Sequence, residues 1–163
     1  MKLDHTEFVS RFGAIYEHSA WVAAEVASLS TEIDDMERLA EFMVDCVDNA
    51  STSRQLELIR AHPDLAGKAQ VAGELTEEST SEQASAGLNQ CSVGEYEQFQ
   101  VLNEAYHEKF GFPFIMAVKD SGRAEILSAF SDRLENDPTL EFETALAEIH
   151  KIARLRLLSM EDS

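Results

Sequence analysis

The chain has 163 residues, and its 31 Asp and Glu against 13 Lys and Arg give a formal net charge of −18. This length is typical of about one globular domain, and an apolar fraction of 44% excludes wholesale disorder. Nucleic acids and anionic membranes bind positively charged surfaces, so the charge argues against both as partners. A small anionic substrate remains possible if a few cations gather in one pocket.

The two cysteines, Cys46 and Cys91, are too few and too far apart for a disulfide framework, and neither belongs to a CxxC pair. The residues that follow Met1 include several charges and no apolar stretch typical of a secretion signal. No apolar run reaches the roughly 18–20 residues that a membrane-spanning helix needs. These features favour a soluble protein of the cytoplasm.

The first part of the chain predicts three helices. Residues 6–29 have a helical apolar pattern that restarts after His18, which indicates a break there. Residues 34–49 carry apolar side chains spaced by three and four positions, as in a helix with one buried face. A short third helix is predicted with Ser53 as its N-cap. It should end at or before the residue that precedes Pro63, because that position disfavours helical backbone.

The middle of the chain predicts a loop and two further helices. Residues 63–78 have no helical pattern and are predicted as a loop. The sequence Ser79–Glu82 matches a capping box and predicts a helix that begins there and runs through Leu88. A second capping box, Ser92–Glu95, opens the next helix, and Gly111 is a typical residue to end it.

The last part of the chain predicts a buried connection and two helices. Residues 112–116 are apolar but short and interrupted by proline, so we expect a buried extended segment. Residues 121–134 and 140–158 are predicted as helices. Because no convincing pair of strands is found, we predict an all-α fold: a single-domain helical bundle of about seven to eight helices over residues 1–163.

An arginine continues the apolar stripe of the last predicted helix. Phe142, Leu146, Ile149 and Ala153 follow one another at steps of four, three and four, and the next step of three reaches Arg156. A buried charge is costly unless it is paired. One interpretation is a structural ion pair with a core carboxylate, or a side chain that extends to solvent at the helix end. The other is a guanidinium that lines a pocket and binds a substrate carboxylate.

A histidine marks the end of the predicted third helix. His62 opens the sequence of residues 62–68, in which the chain must turn at Pro63. The turn could direct the imidazole into a pocket, and histidine is suited to proton transfer near neutral pH. Alternatively, a histidine at this place interacts only with the negative end of the helix dipole.

A polar cluster accompanies the predicted fourth helix. The capping box already explains Ser79 and Glu82. However, Glu82 and Gln83 are also predicted to lie in the first turn of this helix, where backbone N–H groups face outward. A ligand bound there would meet a carboxylate, an amide and a hydroxyl group.

The sequence contains no pattern for a metal or an organic cofactor. None of its five histidines forms an HExxH pair or a similar spacing, so no metal site is expected. GxSxG and GxGxxG patterns do not occur, and the residues around Lys68 do not form a phosphate-binding loop.

Taken together, segments along nearly the whole chain resemble the OHCU decarboxylase family, whose substrate is 2-oxo-4-hydroxy-4-carboxy-5-ureidoimidazoline. A single short match would be weak, but an ordered set at compatible separations is specific. The segments are Tyr16–Ala23, His62–Lys68, Ser79–Leu88, Asn103–Tyr106, Lys109–Ile115 and Ile152–Leu157.

The resemblance implies an all-α enzyme of urate breakdown that needs no cofactor and no metal, and that converts OHCU into (S)-allantoin and carbon dioxide. It also implies a homodimer with a small-molecule substrate, and the net charge argues against a nucleic-acid or membrane partner. A second class of function stays open from the residues alone: a non-catalytic helical ligand-binding or adaptor module on the same fold.

The resemblance also implies roles for single residues. His62 would be the catalytic acid and base, and Glu82 would orient the substrate and assist proton transfer. Ser79 and Gln83 would hydrogen-bond the ring and ureido groups of the substrate. Arg156 would hold an anionic or carbonyl group.

Two further parts of the site follow from the resemblance. The backbone around Phe114, Ile115 and Met116 would cover the substrate. Pro63 would shape the turn that carries His62.

Overall fold

The computed structural model describes residues 4–28, 35–66, 75–119 and 121–161. No β-strand occurs in these ranges, so the predicted all-α fold is confirmed for them. None of the helices within them is long and apolar enough to cross a membrane. Besides a short 3-10 helix, Leu88–Gln90, these ranges contain eight α-helices. They are α1 (His5–Phe12), α2 (Trp21–Ala27), α3 (Met36–Asp48), α4 (Thr52–Arg60), α5 (Glu77–Ser85), α6 (Val93–Phe110), α7 (Arg123–Leu134) and α8 (Pro138–Glu161).

The contacts between Cα atoms divide the chain into two compact units. Unit 1 comprises Met1–Ala61 and Ile149–Ser163, and unit 2 comprises His62–Glu148. The long helix α8 therefore contributes its first residues to unit 2 and its last residues to unit 1. The single domain predicted over residues 1–163 stays a prediction.

Unit 1 has the predicted break between its first two helices. Helix α1 ends at Phe12 and α2 begins only at Trp21, so the break is longer than the sequence indicated. His18 has a φ of 46°, in the left-handed region that residues with a Cβ rarely adopt. This conformation turns the chain so that Val22, Ala23 and Val26 face the core, where all three are buried.

The N-cap of α4 differs from the one predicted. The side chain of Ser51 accepts a hydrogen bond from the backbone N–H of Arg54, so Ser51 caps the helix and Ser53 lies inside it. Three candidate residues, Ser51, Thr52 and Ser53, follow one another here, and the prediction chose the wrong one. The end of α4 at Arg60 agrees with the prediction that Pro63 stops it.

A tyrosine, a histidine and an aspartate form a hydrogen-bonded chain in unit 1. The Tyr16 hydroxyl lies 2.8 Å from Nδ1 of His150, and Nε2 of the same ring lies 3.1 Å from Oδ1 of Asp48. Burial and the negative charge of Asp48 raise the pKa of Tyr16, so its phenol stays protonated. The contacts join the segment between α1 and α2 to the end of α3 and the middle of α8.

The tryptophan of unit 1 lies in a small polar cluster. The Arg54 guanidinium is stacked on Trp21, 4.6 Å from the ring centroid, and its Nη1 lies 2.6 Å from Oε1 of Glu25. The Cys46 thiol donates a 3.0 Å hydrogen bond to Oε2 of the same carboxylate. Burial, and then the bond to Glu25, raise the pKa of Cys46 to about 12. A thiol of this kind is not a nucleophile at neutral pH.

Unit 2 is centred on Tyr106 of α6, which is fully buried. Its ring centroid lies 4.5 Å from that of Phe110, 5.9 Å from Phe112, 5.5 Å from Phe114 and 5.8 Å from Phe130. Several of these ring pairs meet edge to face, which is a favourable aromatic geometry. Helices α6 and α7 and the segment that joins them therefore share one aromatic core.

Of the two capping boxes predicted in unit 2, one is confirmed and the other is wrong. The capping box of Ser92 and Glu95 is present, and Gly111 ends α6 with a φ of 76°. The capping box predicted for Ser79 is absent, because α5 begins two residues earlier. The Thr76 side chain caps it and accepts a hydrogen bond from the Ser79 backbone N–H.

The turn after α5 depends on Gly87, which has a φ of 76°. Its carbonyl oxygen accepts a 3.0 Å hydrogen bond from Nη1 of Arg123, and Nε of Arg123 binds Oε2 of Glu95 at 2.9 Å. A Cβ built on Gly87 would lie 2.8 Å from Nη1 of Arg123. Both its conformation and the close guanidinium therefore favour glycine at this position.

Candidate functional site

The predicted catalytic histidine opens a turn directly after α4. The helix ends at Arg60 with Ala61 as its C-cap, and His62 follows with only 8% of its surface exposed. Pro63 fixes the next φ angle, and Ala66 has a φ of 50°. We refer to residues 62–66 as the His62 turn.

Side-chain amides of two helices hold three consecutive backbone carbonyls of the His62 turn. The Asp64 carbonyl oxygen accepts a hydrogen bond from Nε2 of Gln83 at 3.3 Å. The Leu65 carbonyl accepts one from Nδ2 of Asn103 at 3.0 Å, and the Ala66 carbonyl accepts one from Nε2 of Gln100 at 2.9 Å. The amide donors come from α5 and α6, so these helices determine the shape of the turn.

Two further contacts complete the attachment of the His62 turn. The Ala66 N–H donates a 3.0 Å hydrogen bond to Oε1 of Gln83, so this one amide binds the turn through both its oxygen and its nitrogen. The Asp64 carboxylate lies 2.7 Å from Nε2 of His107. This contact is partly exposed, and polar contacts of this kind contribute little to stability.

Helix α5 presents the other polar residues of the predicted site. Ser79, Glu82 and Gln83 are spaced by three and four residues and therefore lie on one face of the helix. Ser79 and Gln83 are buried, and Glu82 is half-buried. Because α5 begins at Glu77, Glu82 and Gln83 lie in its second turn. The prediction that they lie in the first turn was wrong, since the helix starts earlier than the sequence indicated.

The segment from Phe112 to Met116 lies outside the helices and is largely buried, so the predicted burial is confirmed, and its extended conformation stays a prediction. Phe114 is stacked on Phe130 with ring centroids 3.9 Å apart. Arg133 of α7 also binds the segment: its Nη1 donates a 2.5 Å hydrogen bond to the Ile115 carbonyl. The same guanidinium carbon lies 4.3 Å from the ring centroid of Phe114.

A fully buried carboxylate holds Arg133 in turn. Oε2 of Glu141 accepts hydrogen bonds from the Tyr106 hydroxyl at 2.5 Å and from Nε of Arg133 at 3.0 Å. Oε1 of Glu141 accepts a 2.9 Å hydrogen bond from Nδ2 of Asn136. Burial, and then the bond to Glu141, raise the pKa of Tyr106. The buried charge is thus neutralised and hydrogen-bonded on both oxygens, as such a group requires.

Arg156 lies in unit 1 and is buried, as its place on the apolar stripe predicted. Its Nη2 lies 3.3 Å from Oε2 of the buried Glu17, which is the ion pair of the structural interpretation. Its Nη1 donates to the carbonyl oxygens of Ala14 and Ile15 at 3.3 and 3.2 Å. Its role toward a substrate stays a prediction.

The described part of the chain contains no group of three or more His, Cys, Asp or Glu arranged to hold a metal ion. The two free cysteines are half-buried rather than fully buried.

The model of the OHCU decarboxylase family matches residues 1–158 of this chain. The chain belongs to that family. A relative from Haloferax volcanii, named 2-oxo-4-hydroxy-4-carboxy-5-ureidoimidazoline decarboxylase, is 48% identical over 156 residues. The alignment covers 96% of this chain and 90% of the relative.

Two solved structures are similar to this OHCU decarboxylase family member. One is a crystal structure of (S)-allantoin synthase, with a TM-score of 0.78 and 35% identity, which covers 96% of this chain and 50% of the other. The second is a crystal structure of OHCU decarboxylase in the presence of (S)-allantoin, with a TM-score of 0.74 and 25% identity. It covers 91% of this chain and 96% of the other.

Three residues of this family member's site region were missed from the sequence. Asn103 follows the buried Phe99 and precedes the buried Tyr106 at helical spacing, and Arg133 continues the stripe of Ile126 and Phe130. These are polar residues on apolar stripes, the same signal that singled out Arg156. Applied to α6 and α7, it would have found both. Gln100 is half-buried and carried no such signal.

Proposed function

We propose that this chain is a carboxy-lyase that converts OHCU into (S)-allantoin and carbon dioxide in urate degradation. The observation that carries the proposal is that the chain matches the family over nearly its whole length and has His62 on a turn held by α5 and α6. A turn attached at three consecutive carbonyls presents a general acid or base in a defined place, as proton transfer requires.

The reaction needs an electron acceptor, and the substrate contains one. When the bond between the ring carbon and the carboxylate breaks, carbon dioxide leaves and the electron pair forms a C=C bond to the neighbouring ring carbon. The electrons of the former C=N bond move to its nitrogen, which takes up a proton from solvent. The hydroxyl group then loses its proton to become a carbonyl, and the former C=N carbon gains one. The protein has to orient the carboxylate out of the ring plane, stabilise the developing charge and deliver the proton to one face. We therefore propose a reaction without an added cofactor.

We assign the proton transfer to His62 with Glu82. The imidazole would take the proton from the substrate hydroxyl and return it to the ring carbon, and Glu82 would orient the substrate and assist. Ser79 would hydrogen-bond the ring or ureido group. The shared face of α5 supports this assignment, because Ser79, Glu82 and Gln83 lie together there.

The role of Gln83 combines binding with support of the turn. Its Oε1 and one hydrogen of its Nε2 are used by Ala66 and Asp64. One N–H of the amide is left by this arrangement for a substrate carbonyl, since a carboxamide has two such donors. We propose that Gln83 binds the ureido group through that hydrogen.

Three other parts of the predicted site remain in the proposal. The backbone of Phe114, Ile115 and Met116 would cover the substrate, with Pro63 shaping the turn. Arg156 would hold an anionic or carbonyl group. The homodimer and the location in the cytoplasm are also proposed, the second because the chain has no disulfide framework.

The proposal is tested by adding the protein to freshly generated OHCU and following the optical rotation. We expect faster formation of optically active (S)-allantoin than in a control without protein, in which slow decay gives the racemic product. If the protein binds OHCU but leaves the rate and the rotation at the control level, the chain is a non-catalytic binding module on this fold.

Replacement of the proposed acid and base tests the assignment of His62. His62→Ala should lower kcat by roughly 10²- to 10⁴-fold, as is typical for the loss of a general acid or base. The circular dichroism spectrum and Tm should stay close to those of the wild type. An H62A variant that forms (S)-allantoin at nearly the normal rate would show that another group transfers the proton. His5→Ala, at the exposed start of α1, is the matched control.

A further inference from the structure

The way in which the His62 turn is held differs from that of an ordinary turn. Three consecutive carbonyl oxygens each accept a hydrogen bond from a side-chain carboxamide. The donors are Gln83 to Asp64, Asn103 to Leu65, and Gln100 to Ala66. Two of these donors lie on α6, three residues apart, so they project from the same side of one rigid helix. Helix α6 is therefore a scaffold for this turn.

Asn103 is not explained by stability. It is 4% exposed, and its Oδ1 has no hydrogen-bond partner within the described part of the chain. A buried acceptor without a partner carries an uncompensated loss of hydration, whereas an apolar side chain of the same shape carries none. A leucine at this position would remove that penalty but would leave the buried Leu65 carbonyl without its donor, so the two effects nearly offset each other. The carboxamide therefore needs another reason to be here.

The reason lies in what the turn carries. Leu65 is three residues from His62, and Pro63 between them has a restricted φ. One of the rotations that could absorb a displacement of the Leu65 or Ala66 carbonyl before it reaches His62 is therefore absent. A misplacement of about 1 Å at a reacting group costs about 100-fold in rate.

We propose that Asn103 and Gln100 are positioning residues, which hold the His62 turn in the geometry needed for proton transfer by His62. This inference rests on the proposed function for its kinetic part. Its structural part, that α6 fixes the position of His62, does not depend on the identity of the reaction.

The kinetic test compares three variants on the same helix. Asn103→Leu and Gln100→Leu each remove a donor to the turn, and Gln98→Leu removes an exposed amide of α6 as the matched control. We expect N103L to change the Tm little, because it exchanges one unpaired buried acceptor for another, while kcat falls about 10- to 100-fold and KM changes little. Q100L should lower kcat in the same sense, and Q98L should leave kcat unchanged.

A spectroscopic test separates failure of this inference from failure of the proposed function. The ring signal of His62 is assigned in 15N-histidine-labelled protein by its loss in H62A. In N103L the chemical shift of this signal should change, whereas the ring signals of His5 and His150 should keep theirs. If N103L does not fold, the same comparison is made with Q100L. An unmoved His62 signal overturns the inference, whether or not the wild type decarboxylates OHCU. In an active enzyme, kcat of both variants within twofold of the wild type overturns it as well.

Discussion

Arg156 uses its guanidinium in a way that a lysine could not reproduce. Nη1 donates to two backbone carbonyls, of Ala14 and Ile15, while Nη2 meets the carboxylate of Glu17. The planar fork allows these bonds at once, and a primary amine offers only a compact charge. Whatever it does for a substrate, Arg156 fixes the segment between α1 and α2.

A pair of substitutions distinguishes this structural role from the proposed substrate role. Glu17→Gln removes the negative charge of the buried pair, and breaking such a pair costs about 3–5 kcal/mol. Arg156→Lys keeps the positive charge but loses the planar fork that makes several bonds at once. Both should therefore lower the free energy of unfolding, measured by urea titration. If Arg156 also binds the substrate, only R156K should raise KM beyond the change seen in E17Q. Equal KM values in the two variants would leave Arg156 a structural role alone.

Single residues were predictable where one chemical requirement decided the outcome. The burial of Arg156 followed from its place on a stripe, and the end of α4 followed from Pro63. The caps were harder, because several hydroxyl residues compete near each helix start. Ser51 and Thr76 cap α4 and α5 in place of Ser53 and Ser79. Packing of the helix against its neighbours decides which hydroxyl residue becomes the cap, and a local sequence pattern carries no information about that packing.

At the scale of the elements, two glycines near helix ends differ in whether alanine could replace them. Gly87 has a positive φ and faces Arg123, whereas Gly94 lies in the first turn of α6 with no atom within 4 Å of a built Cβ. Gly87→Ala should destabilise the protein by about 1 kcal/mol or more, since alanine is strained at positive φ and meets the guanidinium. Gly94→Ala should stabilise it by about 0.5–1 kcal/mol. Thermal unfolding followed by circular dichroism measures both, and the same sign for both would contradict this account.

Arg133 connects the segment between α6 and α7 to the core, because it binds both the Ile115 carbonyl and the buried Glu141. Arg133→Met should lower the free energy of unfolding by about 3–5 kcal/mol, because the carboxylate is left buried without its partner. The double variant R133M/E141L should recover part of this loss. Arg38→Met, which breaks the exposed pair with Glu41, is the control and should cost less than about 1 kcal/mol. A double variant that is less stable than R133M would show that the pair is not the reason.

The helices themselves were largely predictable, and their ends less so. Regular apolar spacing located α3, α6, α7 and α8 to within a few residues. The helix at α5 was found by a pattern that turned out not to be its cap. Residues 29 and 34, which fall in predicted helices, and residues 67–74, which fall in a predicted loop, lie outside the described residues.

At the scale of the whole molecule, the sequence indicated which residues are candidates for the site but not which distant residues contact them. The resemblance located His62 and the α5 face along the chain. It gave no sign that amides of α6 hold the turn, because Gln100 and Asn103 are 34 and 38 residues from the carbonyls that they bind. Contacts over such separations follow from how helices pack, which no local pattern contains.

The charge of −18 predicts a strong response to salt. Mutual repulsion of carboxylates opposes the folded state, and screening shortens its range to about 3 Å at 1 M salt. We expect the Tm to rise between about 0.1 and 1 M KCl. A variant with Glu97, Glu104 and Glu108 of α6, all exposed, changed to glutamine should show a smaller rise. A Tm that molar salt leaves unchanged would contradict an electrostatic origin.

The position of Trp21 makes the two units optically distinguishable. It is the one tryptophan in the sequence, it lies in unit 1, and the Arg54 guanidinium covers it. Intrinsic fluorescence excited at the red edge of protein absorption therefore reports on unit 1 alone, while His62 and its supporting amides belong to unit 2. The tryptophan signal and the ring resonance of His62 therefore report on different units, and the order in which they are lost on heating tells which unit unfolds first.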